Sequence, residues 1–147
     1  KEGFYSTHNS NYWKGIEYLG IGPSAHSYIK SPLERGERGV FFRSWNISNN
    51  NSYIKALSEK TTYFEEELID EKTAYNEYVL TRLRTIWGIE AEYVAANFNA
   101  DINQYFKKEL DNYLKTSYLQ THNKVITLTQ EGIFIADKIA SDLFYIV

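Results

Sequence analysis

The chain has 147 residues, 43% hydrophobic and 16% aromatic with 13 Tyr, and a formal net charge of −3. This is enough apolar material for one domain, or a small domain plus part of another, and the acidic balance argues against nucleic acid as a partner. No apolar run is long enough to span a membrane and no signal peptide opens the chain, so a cytoplasmic protein is expected.

Cys is absent, which excludes disulfides, thiolate zinc sites, Cys nucleophiles and Cys-ligated iron–sulfur clusters within these residues. Met is absent too, even at position 1, so the sequence is expected to be a piece of a longer chain.

Residues 1–30 read as irregular backbone with one strand, Tyr18-Leu-Gly-Ile21, that ends in a Gly-Pro turn. Residues 30–39 form a charged, turn-rich loop, and Val40 to Ile47 reads as a second strand completing a hairpin. Ser48 to Ser52 is rich in capping residues and leads into a short helix with Tyr53, Ile54 and Leu57 on one side. The Asn46-Ile-Ser48 and Asn50-Asn-Ser52 glycosylation patterns are chance matches in that Asn-rich turn, given no secretory signal. Residues 61–69 are expected to be extended, with Thr62, Phe64 and Leu68 pointing one way.

From Asp70 the period becomes helical. Asp70 is a candidate N-cap, Tyr75, Val79, Leu83 and Ile86 make the stripe, and Gly88 ends the helix. A short helix from Glu90 to Asn97 follows. Asn99 or Asp101 caps the next, whose stripe is Ile102, Phe106, Leu110 and Leu114. Two β-type runs between Tyr118 and Leu128 flank a tight turn at His122-Asn123. Thr129 then caps a last helix with Ile133, Ala136, Ile139, Ala140 and Leu143 on its apolar face. Three helices and a small β-wing suggest a winged-helix-like domain, with a boundary near residues 60–70.

Two early segments concentrate the chemistry: His8-Asn-Ser-Asn-Tyr-Trp13, and Glu17 to Tyr28. Gly20-Ile-Gly22-Pro-Ser-Ala25 matches a dinucleotide-binding turn, but Pro23 and the missing crossover helix argue against that reading. The glycines instead let the backbone approach a ligand or another chain closely, with Ser24 and Ser27 supplying hydroxyls. The three His have no zinc-type spacing. His122 sits in a predicted turn, and His26 reads as a core or supporting residue. His8 stands beside Asn9, Tyr12 and Trp13. An imidazole with aromatic walls suits a haem-like macrocycle, although a structural role is the commoner fate of a single His. Glu65, Glu66, Glu67 and Glu71 read as a solvated face. Arg82 and Arg84 read as helix surface, with docking to another domain or a substrate carboxylate as the sharper alternative.

The first block resembles the HNxxYW…YLGxGxxAHS block of HemW-type proteins, relatives of the oxygen-independent coproporphyrinogen III oxidases in the radical SAM superfamily. Three later segments are similar to the same family: Arg43-Ser-Trp-Asn46 with Tyr53-Ile54, Asn76 to Ile89, and Leu128-Thr-x-x-Gly132 with Ile135-Ala-Asp137. The resemblance implies an α+β chain. Residues 1–62 would be the C-terminal edge of the catalytic domain, edge strands of a partial TIM-type barrel. Residues 63–147 would be a mainly helical, winged-helix-like HemN-type C-terminal domain.

The family's CxxxCxxC motif, its [4Fe–4S] cluster and S-adenosylmethionine would belong to an N-terminal barrel domain not included here. No catalytic residue is assigned, and radical chemistry is not expected of these residues alone. The resemblance makes His8, Asn9 and Tyr12 haem-binding candidates, with His8 the axial ligand. It places Gly20, Gly22 and Ser24 at the active-site edge. The implied partners are haem or a porphyrin, the chain's own barrel domain and haem-acceptor proteins. The implied function is that of a haem chaperone. A true coproporphyrinogen III oxidase, decarboxylating propionates, is the alternative, and a winged-helix interaction module is the reading outside the family.

Overall fold

The computed structural model describes residues 5–31 and 40–146, which divide into two compact units on either side of the Asp70–Glu71 bond. The first unit contains α1 (Thr7–Trp13), β1 (His26–Ser31), β2 (Val40–Asn46), α2 (Asn50–Glu59) and β3 (Phe64–Ile69). Its strands form an antiparallel sheet in the order β1-β2-β3. Two rungs are fixed by the register: His26, Trp45 and Glu65, then Tyr28, Arg43 and Glu67. Side chains alternate along a strand, so these six residues share one face. Ser27, Ser44, Asn46 and Glu66 lie on the other.

The predicted strand at Tyr18–Ile21 is reduced to one bridge, Tyr18 to Tyr28, with both N–H···O bonds at 2.9 Å. Beyond it, side chains replace the ladder. The Gly20 N–H donates to Ser27 Oγ at 3.0 Å, and Asn46 Nδ2 donates to the Gly22 carbonyl at 2.9 Å. The true hairpin partner of β2 is His26–Ser31, extended where a loop was expected to begin. Residues 32–39 of that loop lie outside the described residues. The helix α1 was not foreseen: Ser6 caps it by accepting from the Asn9 N–H, but none of its residues is buried and no apolar period announces it. Asn49 caps α2, accepting from Ser52 N at 3.0 Å.

The second unit contains α3 (Glu71–Leu83), β4 (Ile89–Glu90), α4 (Ala91–Asn97), α5 (Ala100–Leu114), β5 (Leu119–His122), β6 (Val125–Leu128), α6 (Gln130–Ile133) and α7 (Ala136–Leu143). Its small antiparallel sheet runs β4-β6-β5. The helical stripes converge as expected: Tyr75, Val79 and Leu83 of α3, Ile102, Phe106 and Leu110 of α5, and Ile139 and Leu143 of α7 share one buried cluster. Tyr75 is fully buried, edge-on to Phe98 at 5.4 Å and to Phe106 at 6.3 Å. Its hydroxyl donates to the Leu143 carbonyl at 2.8 Å, satisfying a C-terminal acceptor of α7. Asn76 binds the Tyr145 N–H and carbonyl at 2.8 and 3.1 Å, so α3 holds both the end of α7 and the segment after it.

Three expectations fail at element ends. Ile86 is exposed because α3 stops at Leu83, and a Thr85 N–H bond to the Arg82 carbonyl tightens the chain out of the stripe. Leu114 is partly exposed on the last turn of α5. The last helix is two: Thr129 caps α6, then Ile135 leaves helical geometry before α7 begins, which leaves Ile133 exposed. A Cβ on Gly132 would overlap the Tyr118 carbonyl, so α6 is pinned against the start of the hairpin. The chain must break there to redirect α7 into the core.

The hairpin turn is one residue later than expected. Asn123 and Lys124 occupy it with φ of 49° and 66°, and His122 belongs to β5. Two left-handed residues define a type I′ turn, which favours Asn-Gly. Lys124→Gly is therefore expected to stabilise the chain by about 1 kcal/mol in chemical denaturation. The lost Lys124–Glu92 pair is exposed on both sides and contributes little.

Tyr75 supplies a second test. Tyr75→Phe leaves the Leu143 carbonyl without its donor and is expected to cost about 1–3 kcal/mol. Burial holds the Tyr75 phenol well above the usual tyrosine range. Tyr113 is pushed up to about 12, first by burial and then by its hydrogen bond to Asp142. Both folded-state values exceed the unfolded ones. Their stabilisation is complete below the ordinary tyrosine pKa of about 10 and is lost as pH rises through the folded values. The denaturation midpoint should hold up to about pH 9 and fall above about pH 10, less steeply in Tyr75→Phe.

Candidate functional site

The candidate site lies in the first unit, on the sheet face that carries the rungs His26–Trp45–Glu65 and Tyr28–Arg43–Glu67. Trp45 Nε1 donates to Glu65 at 3.1 Å, and Arg43 Nη1 pairs with Glu67 at 2.9 Å. These carboxylates read from sequence as a solvated face, yet each is taken by a donor one strand away. The signal was present: acids at 65 and 67 match donors at 43 and 45 once the antiparallel register is known.

The aromatic side chains form a column. The His8 ring lies edge-on to Tyr12 at 5.3 Å and 71°. Tyr12 contacts Tyr18 at 4.4 Å, Tyr18 stacks on Tyr28 at 6.3 Å, and Tyr28 stacks on Phe41 at 5.2 Å and 15°. Burial raises the Tyr18 pKa first, Tyr12 adds to the rise, and the Arg43 guanidinium opposes it. The structure thus joins His8 and Tyr12 through helical i, i+4 spacing. It adds Tyr18, Tyr28 and Phe41, which sequence reasoning did not single out. Asn9 contributes its backbone N–H to the Ser6 cap at 3.3 Å.

Gly20, Gly22 and Ser24 sit apart from His8 in sequence, on the loop that returns the chain to β1. A Cβ on Gly20 would overlap the His26 carbonyl, so the close approach here is to the chain's own backbone. Asn46 Nδ2 reaches the Gly20 and Gly22 carbonyls at 3.4 and 2.9 Å. Ser27 and Asn46, which hold this loop, are buried. Ser24 has φ of 59°, and its N–H donates to the Ile47 carbonyl at 3.3 Å. It lines an open depression of about 340 Å³ with His26, Trp45, Asn46, Ser48 and Glu65.

His26 faces this depression and is exposed, so it is not a core residue; its ring lies 6.5 Å from Trp45. In the second unit Arg84 pairs with Asp137 at 2.7 Å and Arg82 lies over the Tyr78 ring, as a surface role predicts. No group of three or more His, Cys, Asp or Glu among the described residues could hold a metal ion. The donor set does not fit an iron–sulfur cluster, since the chain has no Cys. It does fit a single axial imidazole: His8 is exposed and lies against the half-exposed Tyr12 ring. Among the described residues no helix is long and apolar enough to cross a membrane.

Residues 69–135 match the family model of the HemN C-terminal domain. The chain is 29% identical over 140 residues to a putative heme chaperone HemW-like protein of Buchnera aphidicola, covering 95% of this chain and 34% of that protein. It is 27% identical over 139 residues to the heme chaperone HemW of Mycobacterium tuberculosis, covering 92% of this chain and 30% of that one. Its fold is similar to that of the coproporphyrinogen III oxidase HemN from Escherichia coli, a radical SAM enzyme, with a TM-score of 0.59 and 16% identity over 88% of this chain and 28% of the other. The chain thus spans about a third of the length of the curated relatives it matches. With these matches and its mixed helix-and-sheet architecture, the chain is similar to HemW- and HemN-type proteins and matches the HemN C-terminal domain over residues 69–135.

Proposed function

We propose that this chain contributes to a haem chaperone of the HemW type and that His8 is the axial ligand, with Asn9 and Tyr12 beside it. The observation that carries the reading is the exposed His8 imidazole, edge-on to the half-exposed Tyr12 ring on one short helix. A neutral imidazole is a good axial ligand for haem iron, and flat aromatic surfaces suit a flat macrocycle. The HemW relatives support this reading over a coproporphyrinogen III oxidase, for which the structural likeness at 16% identity speaks to fold alone.

In this reading the first unit is the edge of a partial TIM-type barrel, and the second is a winged-helix-like domain. A [4Fe–4S] cluster and S-adenosylmethionine would be held by barrel residues outside this sequence, and haem-acceptor proteins would be the partners. A cytoplasmic location fits such a carrier. Gly20, Gly22 and Ser24 would shape the active-site edge, Ser24 by lining the open depression and the glycines by letting the loop return to the sheet.

Haem titration followed at the Soret band tests the assignment. His8→Ala is expected to change the spectrum and weaken binding at least about tenfold, or 1.4 kcal/mol. Unchanged spectrum and affinity would remove His8 as ligand. Decarboxylation of coproporphyrinogen by the full-length protein would favour the oxidase instead.

A further inference from the structure

The helix α1 has seven residues, none of them buried. Isolated helices of that length are not stable in water, so contacts outside it must fix its place. The geometry shows what those contacts are. Tyr12 lies 4.4 Å from Tyr18, and Tyr18 is locked to β1 by its two-way backbone bridge to Tyr28 at 2.9 Å. Tyr28 is held in turn by stacking on Phe41 of β2 at 5.2 Å. Rigidity therefore passes from the sheet to Tyr18, to Tyr12 and to the His8 ring.

We propose that Tyr18 and Tyr28 are positioning residues for His8, acting through Tyr12, a role whose consequence rests on reading His8 as the haem ligand. An axial ligand must aim one ring nitrogen along a fixed direction, and groups behind the imidazole commonly set that direction. An imidazole already ordered by its neighbours loses less freedom on ligation, which strengthens binding without a new contact. Tyr12 is the relay: its ring meets both His8 and Tyr18.

Two measurements on the full chain test this. The first is the nuclear magnetic resonance shift of the His8 ring protons without haem, which senses the Tyr12 ring. The second is haem affinity. Tyr18→Leu keeps an apolar side chain and the backbone bridge but removes the ring, and Tyr18→Phe keeps the ring. The Trp45 indole N–H, held by Glu65 at 3.1 Å, reports an intact sheet in each variant.

Tyr18→Leu is expected to move the His8 resonances toward those of an unstructured histidine. It should weaken haem binding about two- to tenfold, the worth of one aromatic pair. Tyr18→Phe should leave the His8 resonances near their native positions and restore most of the affinity. His8 resonances in Tyr18→Leu identical to those of the native chain would overturn the proposal. If those resonances move but His8→Ala binds haem unchanged, the haem assignment fails and the positioning role stands.

Discussion

Two backbone hydrogen bonds between Tyr18 and Tyr28 organise the first unit. They attach residue 18 to the outer edge of β1, at the rung of the Arg43–Glu67 pair. On the N-terminal side of this attachment stands α1, whose short length makes it dependent on Tyr18 for its place. On the C-terminal side the chain must turn and re-enter the sheet at His26 within a few residues. That return forces the backbone against itself, which is why a Cβ at Gly20 has no room and why buried Ser27 and Asn46 take up the loop's polar groups. Left unpaired, such groups would each cost about 1–3 kcal/mol.

The two units are stabilised differently. The second has an ordinary core in which the rings of Tyr75, Phe98 and Phe106 meet and the Tyr75 hydroxyl finds an acceptor. Burial of each large side chain there contributes about 1.5–3 kcal/mol. In the first unit, the buried residues among those described include the polar Ser27 and Asn46 beside Ala56 and Ile69, while Leu19, Ile21 and Leu68 are exposed. Its order comes from cross-strand rings, two donor–carboxylate pairs and a clamped loop. Such contacts fix orientation well and contribute little bulk stability, which suits a surface that presents groups to a ligand.

The helices of the second unit were legible because burial writes a period into sequence. Tyr75, Val79 and Leu83 fall on one face, as do Ile102, Phe106 and Leu110, and Asn99 and Thr129 mark starts by capping. What was not legible lay where local pattern yields to tertiary demand. The break between α6 and α7 answers to the Tyr118 carbonyl against Gly132, fourteen residues away. The turn at Asn123-Lys124 shifted by one because Lys in the left-handed region carries no strong signal. At the site, the density of His8 to Trp13 was visible but its helical form was not, since no face of α1 is buried. Tyr18 read as one more strand residue, and its place in the ring column depends on a bridge that local pattern does not encode.

A site built this way has a consequence for how a macrocycle could be held. Small-molecule pockets usually enclose most of their ligand's surface. Within this chain His8 is exposed and Tyr12, whose ring it meets, is about half exposed, so these two residues offer part of a contact surface for a flat ligand. Under the haem reading, these residues would contribute one coordinate bond and a preset imidazole. Among related complexes, differences in affinity arise mostly in the rate of leaving. Under the haem reading, an imidazole held by the sheet would act on that rate. The ring column would supply the aim.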